Sequence, residues 1–277
     1  MNPKLIFLDI DGTLTPAGSN VPPDSALEAI RAAQKNGHKV ALCSGRNYAM
    51  LEPLLHYGFD GVIASAGGYV EWNGTAVYDC PMTPEQQEKS MRVFAESGIF
   101  RTVESRIGSY TDEGFKVFIK EHAKDGANSE LLRWREQLES SLNILPMAEF
   151  KGEPIYKLIF MSPSEELLDT PRRLLGNEFD FCIQDTNEIG VVNGELINRC
   201  FNKGTAVRLL CKAAGIPLED SIAFGDSMND LEMMQTAALS ICMANGSETL
   251  KKESDEICPA VEDDGLFKAF KKHGLMD

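Results

Sequence analysis

The sequence has no long apolar run. No stretch of its 277 residues approaches the roughly 18 uninterrupted apolar residues that a membrane-spanning helix needs. The segment before Asp9 contains one lysine and a short apolar run, which is too short for a signal peptide. We therefore expect a cytoplasmic, soluble protein that has no membrane partner.

Paired cysteines are also missing, because the seven cysteines are odd in number and scattered, with no C-x-x-C pair. This pattern argues against a disulfide framework and against a zinc site. Most of these cysteines are expected to be small buried hydrophobes. They are Cys43, Cys80, Cys182, Cys200, Cys211, Cys242 and Cys258.

Positive charge is scarce, with 27 Lys and Arg against 42 Asp and Glu and a formal net charge of −15. No basic cluster is long enough to offset this charge locally, so nucleic acid is not an expected partner. A small phosphorylated metabolite can still be bound by a few local cations, dipoles and a metal ion. The sequence gives no indication of the oligomeric state.

Short apolar strands alternate with amphipathic helices at the start of the chain. Leu5 to Leu8, Val40 to Cys43 and Val62-Ile63 are predicted strands, and the two segments between them have helical spacing of apolar residues. This rhythm predicts a parallel sheet with helices on its faces. Hydrophobic residues make up 43% of the chain, enough for a sizeable core.

The rhythm changes after Asn73-Gly74, which predicts a hairpin turn. Residues 82–188 are predicted to form an inserted α+β domain, including a long helix around Ser129 to Leu138. The first rhythm resumes at Lys203. The expected architecture is α/β, with a Rossmann-like parallel-sheet core over residues 1–81 and 189–277 interrupted by the insertion.

Three polar clusters directly follow predicted core strands. In an open parallel sheet the carboxyl ends of the strands form the ligand crevice, so clusters distant in sequence are expected to converge there. The clusters are Asp9-Ile10-Asp11-Gly12-Thr13, Ser44-Gly45-Arg46 and Gly225-Asp226-Ser227-Met228-Asn229-Asp230.

Four carboxylates at one place, those of Asp9, Asp11, Asp226 and Asp230, would repel one another, which a divalent cation would offset. Oxygen ligands in an incomplete protein shell are typical of magnesium.

Ser44 could then donate a hydrogen bond to a phosphate. Lys203, at a predicted helix start, would add a positive charge that stabilises phosphoryl transfer.

Each feature alone has a plainer interpretation. A lone D-x-D is more often a solvated turn, and Asp226 with Asp230 could merely complement a helix dipole. A calcium loop starting at Asp9 fits poorly, since its twelfth position is Asn20. Arg46 is equally compatible with a salt bridge to Glu52 or another core acid and with substrate contact.

Together these residues resemble the haloacid dehalogenase superfamily of phosphatases. Leu8 to Leu14 matches its D-x-D-G-T-L motif, and three later motifs follow in the expected chain order. Ser44 matches the second motif, Lys203 the third and Gly225 to Asp230 the fourth. The size and position of the insertion resemble the large cap of the Cof-type sugar-phosphatase branch, which would close over the cleft and select the leaving group.

The resemblance implies that Asp9 attacks phosphorus and becomes an aspartyl phosphate. Asp11 would protonate the leaving group and then activate water, which requires it to begin protonated. Magnesium would be bound by Asp9, the main-chain carbonyl of Asp11, and Asp226, with Asp230 as a direct or outer ligand. The phosphate-binding residues implied are Ser44, Gly45, Lys203 and Asn229, where Asn229 touches phosphate or orients Lys203.

Two positions depart from the family pattern. Ser65-Ala66-Gly67-Gly68 stands where this branch often has Asn-Gly-Ala. Ser44 replaces the usual Thr and keeps the hydroxyl.

The sequence therefore predicts a magnesium-dependent phosphomonoester hydrolase, with a sugar phosphate favoured as substrate. A phosphomutase or phosphotransferase using the same intermediate, and a non-catalytic phosphate sensor, remain open. The leaving group is not specified, since hexose phosphates, nucleotides and pyridoxal phosphate are all compatible.

Overall fold

The computed structural model describes residues 2–115, 117, 144–183 and 191–276. The chain divides into two compact units. The first unit comprises Met1–Arg46, Leu51–Asp79 and Phe201–Asp277, and the second comprises Asn47–Met50 and Cys80–Cys200. The helix predicted around Ser129 to Leu138 lies outside the described residues.

The described residues contain the strands and α-helices that follow, numbered in chain order. The strands are β1 (Leu5–Leu8), β2 (Lys39–Cys43), β3 (Gly61–Ala64), β4 (Tyr69–Trp72), β5 (Thr75–Asp79), β6 (Phe100–Ser105), β7 (Ser109–Thr111), β8 (Ile144–Pro146), β9 (Ile155–Ser162), β10 (Phe179–Ile183), β11 (Val192–Asn198), β12 (Ser221–Gly225), β13 (Leu239–Met243) and β14 (Glu256–Cys258). The helices are α1 (Asp24–Lys35), α2 (Glu52–Leu55), α3 (Pro84–Glu96), α4 (Asp169–Leu175), α5 (Lys203–Ala214), α6 (Leu231–Thr236), α7 (Glu248–Glu253) and α8 (Gly265–Lys272).

The first unit contains an eight-stranded sheet in the order β14-β13-β12-β1-β2-β3-β4-β5. The six strands from β14 to β3 are parallel, and β4 and β5 add an antiparallel edge. Leu8, the last residue of β1, pairs with Phe224 of β12 and Leu42 of β2. The carboxyl ends of these three strands therefore lie at the same edge of the sheet, and the predicted parallel-sheet α/β fold is confirmed.

Both faces of the central strands are covered. All four residues of β1 are fully buried, as expected for a strand with helices on both sides of its sheet. On one face Leu5 and Phe7 share a core cluster with Val207 and Leu210 of α5. This packing fixes the start of α5, where Lys203 lies.

The hairpin between β4 and β5 has the turn that its sequence predicts. Asn73 and Gly74 both have positive φ angles, 47° and 74°. A two-residue turn of this kind needs positive φ at both positions, and Asn and Gly tolerate it best.

The second unit contains a six-stranded sheet in the order β10-β11-β9-β6-β7-β8, antiparallel except between β7 and β8. Its own core includes Val103, Leu158, Phe160 and Leu196 from the strands, packed with Phe94 of α3. A capping box starts α3, in which Thr83 and Gln86 form reciprocal hydrogen bonds between side chain and main chain.

This unit extends to Cys200, beyond the residue-188 boundary predicted from the sequence. The reason is β11, which pairs with both β9 and β10. Asn193, Gly194 and Glu195 interrupt its apolar pattern, so the segment gives a weak strand signal. Across the described residues, no helix combines the length and apolarity that crossing a bilayer demands.

Candidate active site

The ends of β1 and β12 bring two aspartates together from opposite ends of the sequence. Asp9 follows β1, and its main-chain N–H donates to the carbonyl of Phe224 at 3.0 Å, which extends the strand pairing. Asp226 follows β12 directly. Side-chain oxygens of Asp9, Asp226 and Asp230 all lie within 4.8 Å of one another. The predicted convergence of the first and fourth motifs is therefore present.

Asp230 is completely buried at the end of a short 3-10 helix, Met228–Asp230. Its Oδ2 accepts hydrogen bonds from the main-chain N–H groups of Asp226 and Ser227, both at 3.1 Å. A Cβ atom on Gly225 would lie 2.8 Å from the Asp230 side chain, so only glycine allows this approach. The loop after β12 is thus folded around the Asp230 carboxylate.

Lys203 is the first residue of α5, and its ammonium group joins the carboxylates. Its Nζ donates to Asp9 Oδ1 at 2.7 Å and to Asp230 Oδ1 at 2.5 Å. A third contact, at 3.2 Å, reaches the side-chain oxygen of Asn229. A reciprocal capping box between Asn202 and Thr205 fixes the helix start from which Lys203 extends.

Burial and mutual repulsion set the protonation of this cluster. Burial raises the pKa of Asp9 well above its ordinary value, and Asp230 adds to this while Lys203 opposes it. Burial, followed by repulsion from Asp230, raises the pKa of Asp226 to about 7. Burial disfavours the charged form of Lys203, yet Asp230 and Asp9 hold its pKa well above the ordinary value. Lys203 is therefore a permanent cation beside crowded carboxylates.

The cluster has the chemistry of a divalent cation site. When all three carboxylates are ionised, they leave two negative charges against the one ammonium, which is the charge that one Mg²⁺ balances. The donors are all oxygens, as magnesium prefers. Asp9, Asp226 and Asp230 could therefore hold a magnesium ion.

Asp11 forms a separate group with Arg46. The guanidinium donates from Nε and Nη2 to the two carboxylate oxygens of Asp11 at 2.9 and 2.7 Å. Arg46 also donates to Asn20 Oδ1 at 2.6 Å, and the N–H of Gly18 donates to Asp11 at 3.0 Å. Of the alternatives open for Arg46, the structure shows a salt bridge to a core acid. The Asp11 side chain is turned to this bridge, and its acid–base role stays a prediction.

Two neighbours of Asp226 were not predicted as site residues. The Thr13 hydroxyl donates to Asp226 Oδ1 at 3.2 Å. Gly12 has a φ of 87°, and a Cβ atom there would lie 2.5 Å from Asp226 Oδ2. Both residues lie in the D-x-D-G-T motif. Their positions directly after Asp11 were the sequence signal that could have identified them as site residues.

Ser44 and Asn229, two of the predicted phosphate-binding residues, form hydrogen bonds within the protein. Ser44 follows β2, and its Oγ accepts the N–H of Arg46 at 3.1 Å. Asn229 accepts from Lys203 and, at 3.0 Å, from the Ser227 hydroxyl, an arrangement that can orient the lysine. Phosphate contacts of Ser44, Gly45 and Asn229 stay predictions.

The segment Ser65-Ala66-Gly67-Gly68, which departs from the family pattern after β3, packs against the start of α5. Ser65 and Ala66 have φ angles of 51° and 57°, a region that Asn and Gly occupy more easily. A Cβ atom on Gly67 would lie 2.5 Å from the carbonyl oxygen of Asn202, the residue that caps α5. The loop therefore packs directly behind Lys203.

A family profile described as haloacid dehalogenase-like hydrolase matches residues 6–270. The chain belongs to this family. The Bacillus subtilis (strain 168) protein named "Putative phosphatase YkrA" is 24% identical over 277 residues, which is all of both chains. The HMP-PP phosphatase of Yersinia pestis (strain Pestoides F) is 27% identical over 270 residues, covering 92% of this chain and 88% of the relative.

Among solved structures, the HAD subclass IIB sugar phosphatase BT4131 aligns with a TM-score of 0.75 at 21% identity, covering 98% of this chain and 99% of the other. That likeness shows the fold. Family membership and the named relatives together identify this haloacid dehalogenase-like protein as a phosphatase enzyme.

Proposed function

We propose that this phosphatase depends on magnesium and hydrolyses a small phosphorylated metabolite through an aspartyl phosphate on Asp9. The observation that carries the proposal is the convergence of Asp9, Asp226 and Asp230 within 4.8 Å, with Lys203 bonded to two of them. A buried carboxylate beside a fixed cation suits nucleophilic attack on a phosphoryl group, since the cation offsets the charge that the group brings.

In the first half-reaction an Asp9 oxygen bonds to phosphorus, and the bond from phosphorus to the leaving oxygen breaks. Asp11 gives its proton to that oxygen. In the second half-reaction water attacks the aspartyl phosphate, Asp11 takes a proton from the water, and inorganic phosphate leaves. For these roles the Asp11 carboxyl group must give up its hydrogen bonds to Arg46. The salt bridge between the two residues therefore belongs to a resting arrangement, and the reaction needs a second arrangement in which it is broken.

The metal ligands in this proposal are the carboxylates of Asp9, Asp226 and Asp230 and the main-chain carbonyl of Asp11. A bound magnesium ion supplies neutralisation of the negative charge on the transferring phosphoryl group. Lys203 contributes a second, permanent positive charge at the same place. Ser44, Gly45 and Asn229 are the proposed phosphate-binding residues.

For the substrate we favour a sugar phosphate, selected by the second unit acting as a cap. The support is the likeness to a sugar phosphatase and the separate core of the inserted unit. The HMP-PP phosphatase relative makes HMP-PP a second candidate. Phosphate release across a panel of sugar phosphates, nucleotides, pyridoxal phosphate and HMP-PP distinguishes these substrates by their kcat/KM.

The central experiment replaces the nucleophile. Asp9→Asn is expected to abolish turnover while the protein stays folded, because the amide is isosteric but far less nucleophilic. Asp263→Asn, at an exposed position in the same unit, is the matched control. Rapid acid quench with labelled substrate should trap label on the Asp9 peptide of the wild type. Turnover at the wild-type rate in Asp9→Asn contradicts the assignment.

The same trapping experiment tests the alternatives. A phosphotransferase would label Asp9 but pass the phosphoryl group to an added hydroxyl acceptor, so free phosphate would not equal the alcohol product. A phosphate sensor would bind phosphate without labelling Asp9. Stoichiometric release of phosphate and alcohol, with transient label on Asp9, supports hydrolysis.

A further inference from the structure

Two cysteines that are 120 positions apart in sequence meet in the second unit. The Sγ atoms of Cys80 and Cys200 lie 3.3 Å apart. Cys200 is exposed and Cys80 is partly exposed, so small reagents can approach the pair. These residues are the first and last of the longer segment of the second unit, Cys80–Cys200.

Neighbouring hydrogen bonds fix the backbone on both sides of the pair. After Cys80, the N–H of Met82 donates to the carbonyl of Ile155 at 2.7 Å. Pro81 restricts Cys80 itself to extended conformations. The N–H of Cys200 donates to the side chain of Asn198 at 3.1 Å. The two thiols are therefore brought together by ordered segments.

We propose that Cys80 and Cys200 form a reversible thiol–disulfide site that responds to low-molecular-weight disulfides. To form the bond, the sulfur atoms need to approach from 3.3 Å to about 2 Å. This assignment is independent of the phosphatase mechanism.

The buried cysteines do not compete for this chemistry. Burial raises the pKa of Cys211 to about 11 and that of Cys242 to about 11, which keeps both as unreactive thiols at neutral pH. Cys182 is exposed but lies in β10, and it provides a comparison thiol in the same unit.

The reaction consists of two thiol–disulfide exchanges. The thiolate of the more exposed Cys200 attacks one sulfur of glutathione disulfide, forming a mixed disulfide and releasing one glutathione thiolate. The thiolate of Cys80 then attacks the Cys200 sulfur, forming the Cys80–Cys200 bond and releasing the second glutathione. The protein loses two electrons and two protons, and these convert glutathione disulfide into two glutathione thiols.

The new bond would close almost the whole second unit into one covalent loop. Such a crosslink removes conformations from the unfolded chain, and the effect grows with loop length. The oxidised protein is therefore expected to unfold at a higher temperature than the reduced protein, by roughly 5–10 °C.

The test treats the full-length protein with glutathione disulfide and blocks remaining thiols under denaturing conditions. Peptide mass spectrometry should find the Cys80 peptide joined to the Cys200 peptide, with the loss of two hydrogens. Dithiothreitol should reverse the bond and the thermal shift. Cys182→Ser should form the same crosslink, whereas Cys80→Ser should stop at glutathione on Cys200 and show no rise in the thermal midpoint.

Two outcomes would overturn the proposal. One is stable glutathione on both Cys80 and Cys200 of the wild type without a crosslink, which would show that the thiols cannot reach each other. The other is a crosslink that lowers the thermal midpoint or involves Cys182, which would show that it forms only in a distorted chain.

Discussion

Each unit of this protein buries a lysine between two carboxylates, and the two clusters differ in what surrounds them. We call them the core cluster and the insert cluster. The core cluster is Lys203 with Asp9 and Asp230, and the insert cluster is Lys157 with Glu195 at 2.6 Å and Glu104 at 3.4 Å. Both lysine side chains are almost fully buried, at 1% and 4% exposure.

The insert cluster lies within regular strands. Glu104 of β6 is directly opposite Lys157 of β9, and Glu195 lies on β11, the other neighbour of β9. Cross-strand pairing alone brings opposite charges into contact here. Such an arrangement is expected to stabilise a particular register and does not by itself indicate chemistry.

The core cluster lies where strands end and a helix begins, and it includes a further carboxylate, Asp226, within reach of the other two. Main-chain N–H groups also point to Asp230. Loops at the end of a parallel sheet can gather more like charge than they balance, and such an excess needs a ligand. The comparison teaches that charge balance and position separate a reactive site from a buried ion pair with similar contacts.

Exchanging each lysine for methionine should give the largest contrast. Lys203→Met is expected to lower kcat/KM on the order of 10³-fold, because it removes a fixed positive charge next to the nucleophile. Lys157→Met should keep the activity within about tenfold, because the Lys157 charge is paired with Glu104 and Glu195 of the second unit. Steady-state phosphate release measures both values.

The contrast breaks down if the two variants lose activity equally. Circular dichroism of each variant, at the assay temperature, must first show folded protein. Lys203→Arg is a useful companion, since a planar guanidinium cannot reproduce the two ammonium contacts and should recover little activity.

Removing the cation of the insert cluster should destabilise the protein, as it does in other buried ion pairs. Lys157→Met leaves Glu104 and Glu195 buried without their cation and is expected to cost about 3–5 kcal/mol of unfolding free energy. Urea denaturation followed by tryptophan fluorescence and circular dichroism measures it.

Replacing all three residues tests whether the pairing is only structural. The triple variant Glu104→Met, Lys157→Met, Glu195→Leu should recover most of the lost free energy, because no uncompensated charge remains. A triple variant that is less stable than Lys157→Met would show that the insert cluster contributes more than charge balance.

The sequence predicts the core cluster far better than the insert cluster, for physical reasons. Asp9, Asp226 and Lys203 occupy fixed places relative to predicted strand and helix ends, and sheet topology brings such ends together. Glu104 and Lys157 depend on strand register, which single-sequence patterns do not specify. The missed strand β11 has the same origin, because its pairing partners, not its interrupted apolar pattern, make it a strand.

Contacts between individual side chains also could not be predicted from the sequence. The D-x-D motif indicated that Asp11 lies near Asp9, but it did not indicate that Arg46 binds Asp11 through both oxygens. The position of Arg46 after β2 gave the only signal, and it was compatible with several partners. Chain order predicts which loops meet, whereas rotamers decide which side chains in those loops bond.

Magnesium should stabilise the protein through the core cluster alone. Since only the folded state gathers the carboxylates, binding adds about 2.7 kcal/mol of unfolding free energy at a concentration 100 times the Kd. Differential scanning fluorimetry with MgCl₂, after chelation, should show a rising thermal midpoint. Calcium should bind but inhibit turnover, because its coordination is looser.

Two substitutions locate this effect. Asp226→Asn should abolish the magnesium-dependent rise, and Glu195→Gln, which removes an insert carboxylate, should leave the rise unchanged whatever its effect on basal stability. An equal rise in Asp226→Asn and the wild type would place magnesium elsewhere.

His38 lies outside both clusters and titrates in the mildly acidic range. Its effect on the unfolding free energy should be the smallest of those predicted here. Burial and the nearby Lys4 charge lower the pKa of His38 from its ordinary value. Neutral His38 accepts the main-chain N–H of Lys4 on Nδ1 at 3.0 Å, and protonation removes this acceptor. Because the unfolded chain binds the proton more readily, this contribution is complete above pH ~6.5 and declines as the pH falls below it.

His38→Asn keeps an acceptor atom but cannot titrate, so it separates this contribution from the carboxylates. Between pH 7 and pH 5 the unfolding free energy of the wild type should fall more than that of His38→Asn, as measured by urea denaturation. An equal decline in the unfolding free energy of the two proteins would contradict the role of His38. The acid sensitivity between pH 7 and pH 5 would then come from the carboxylate clusters.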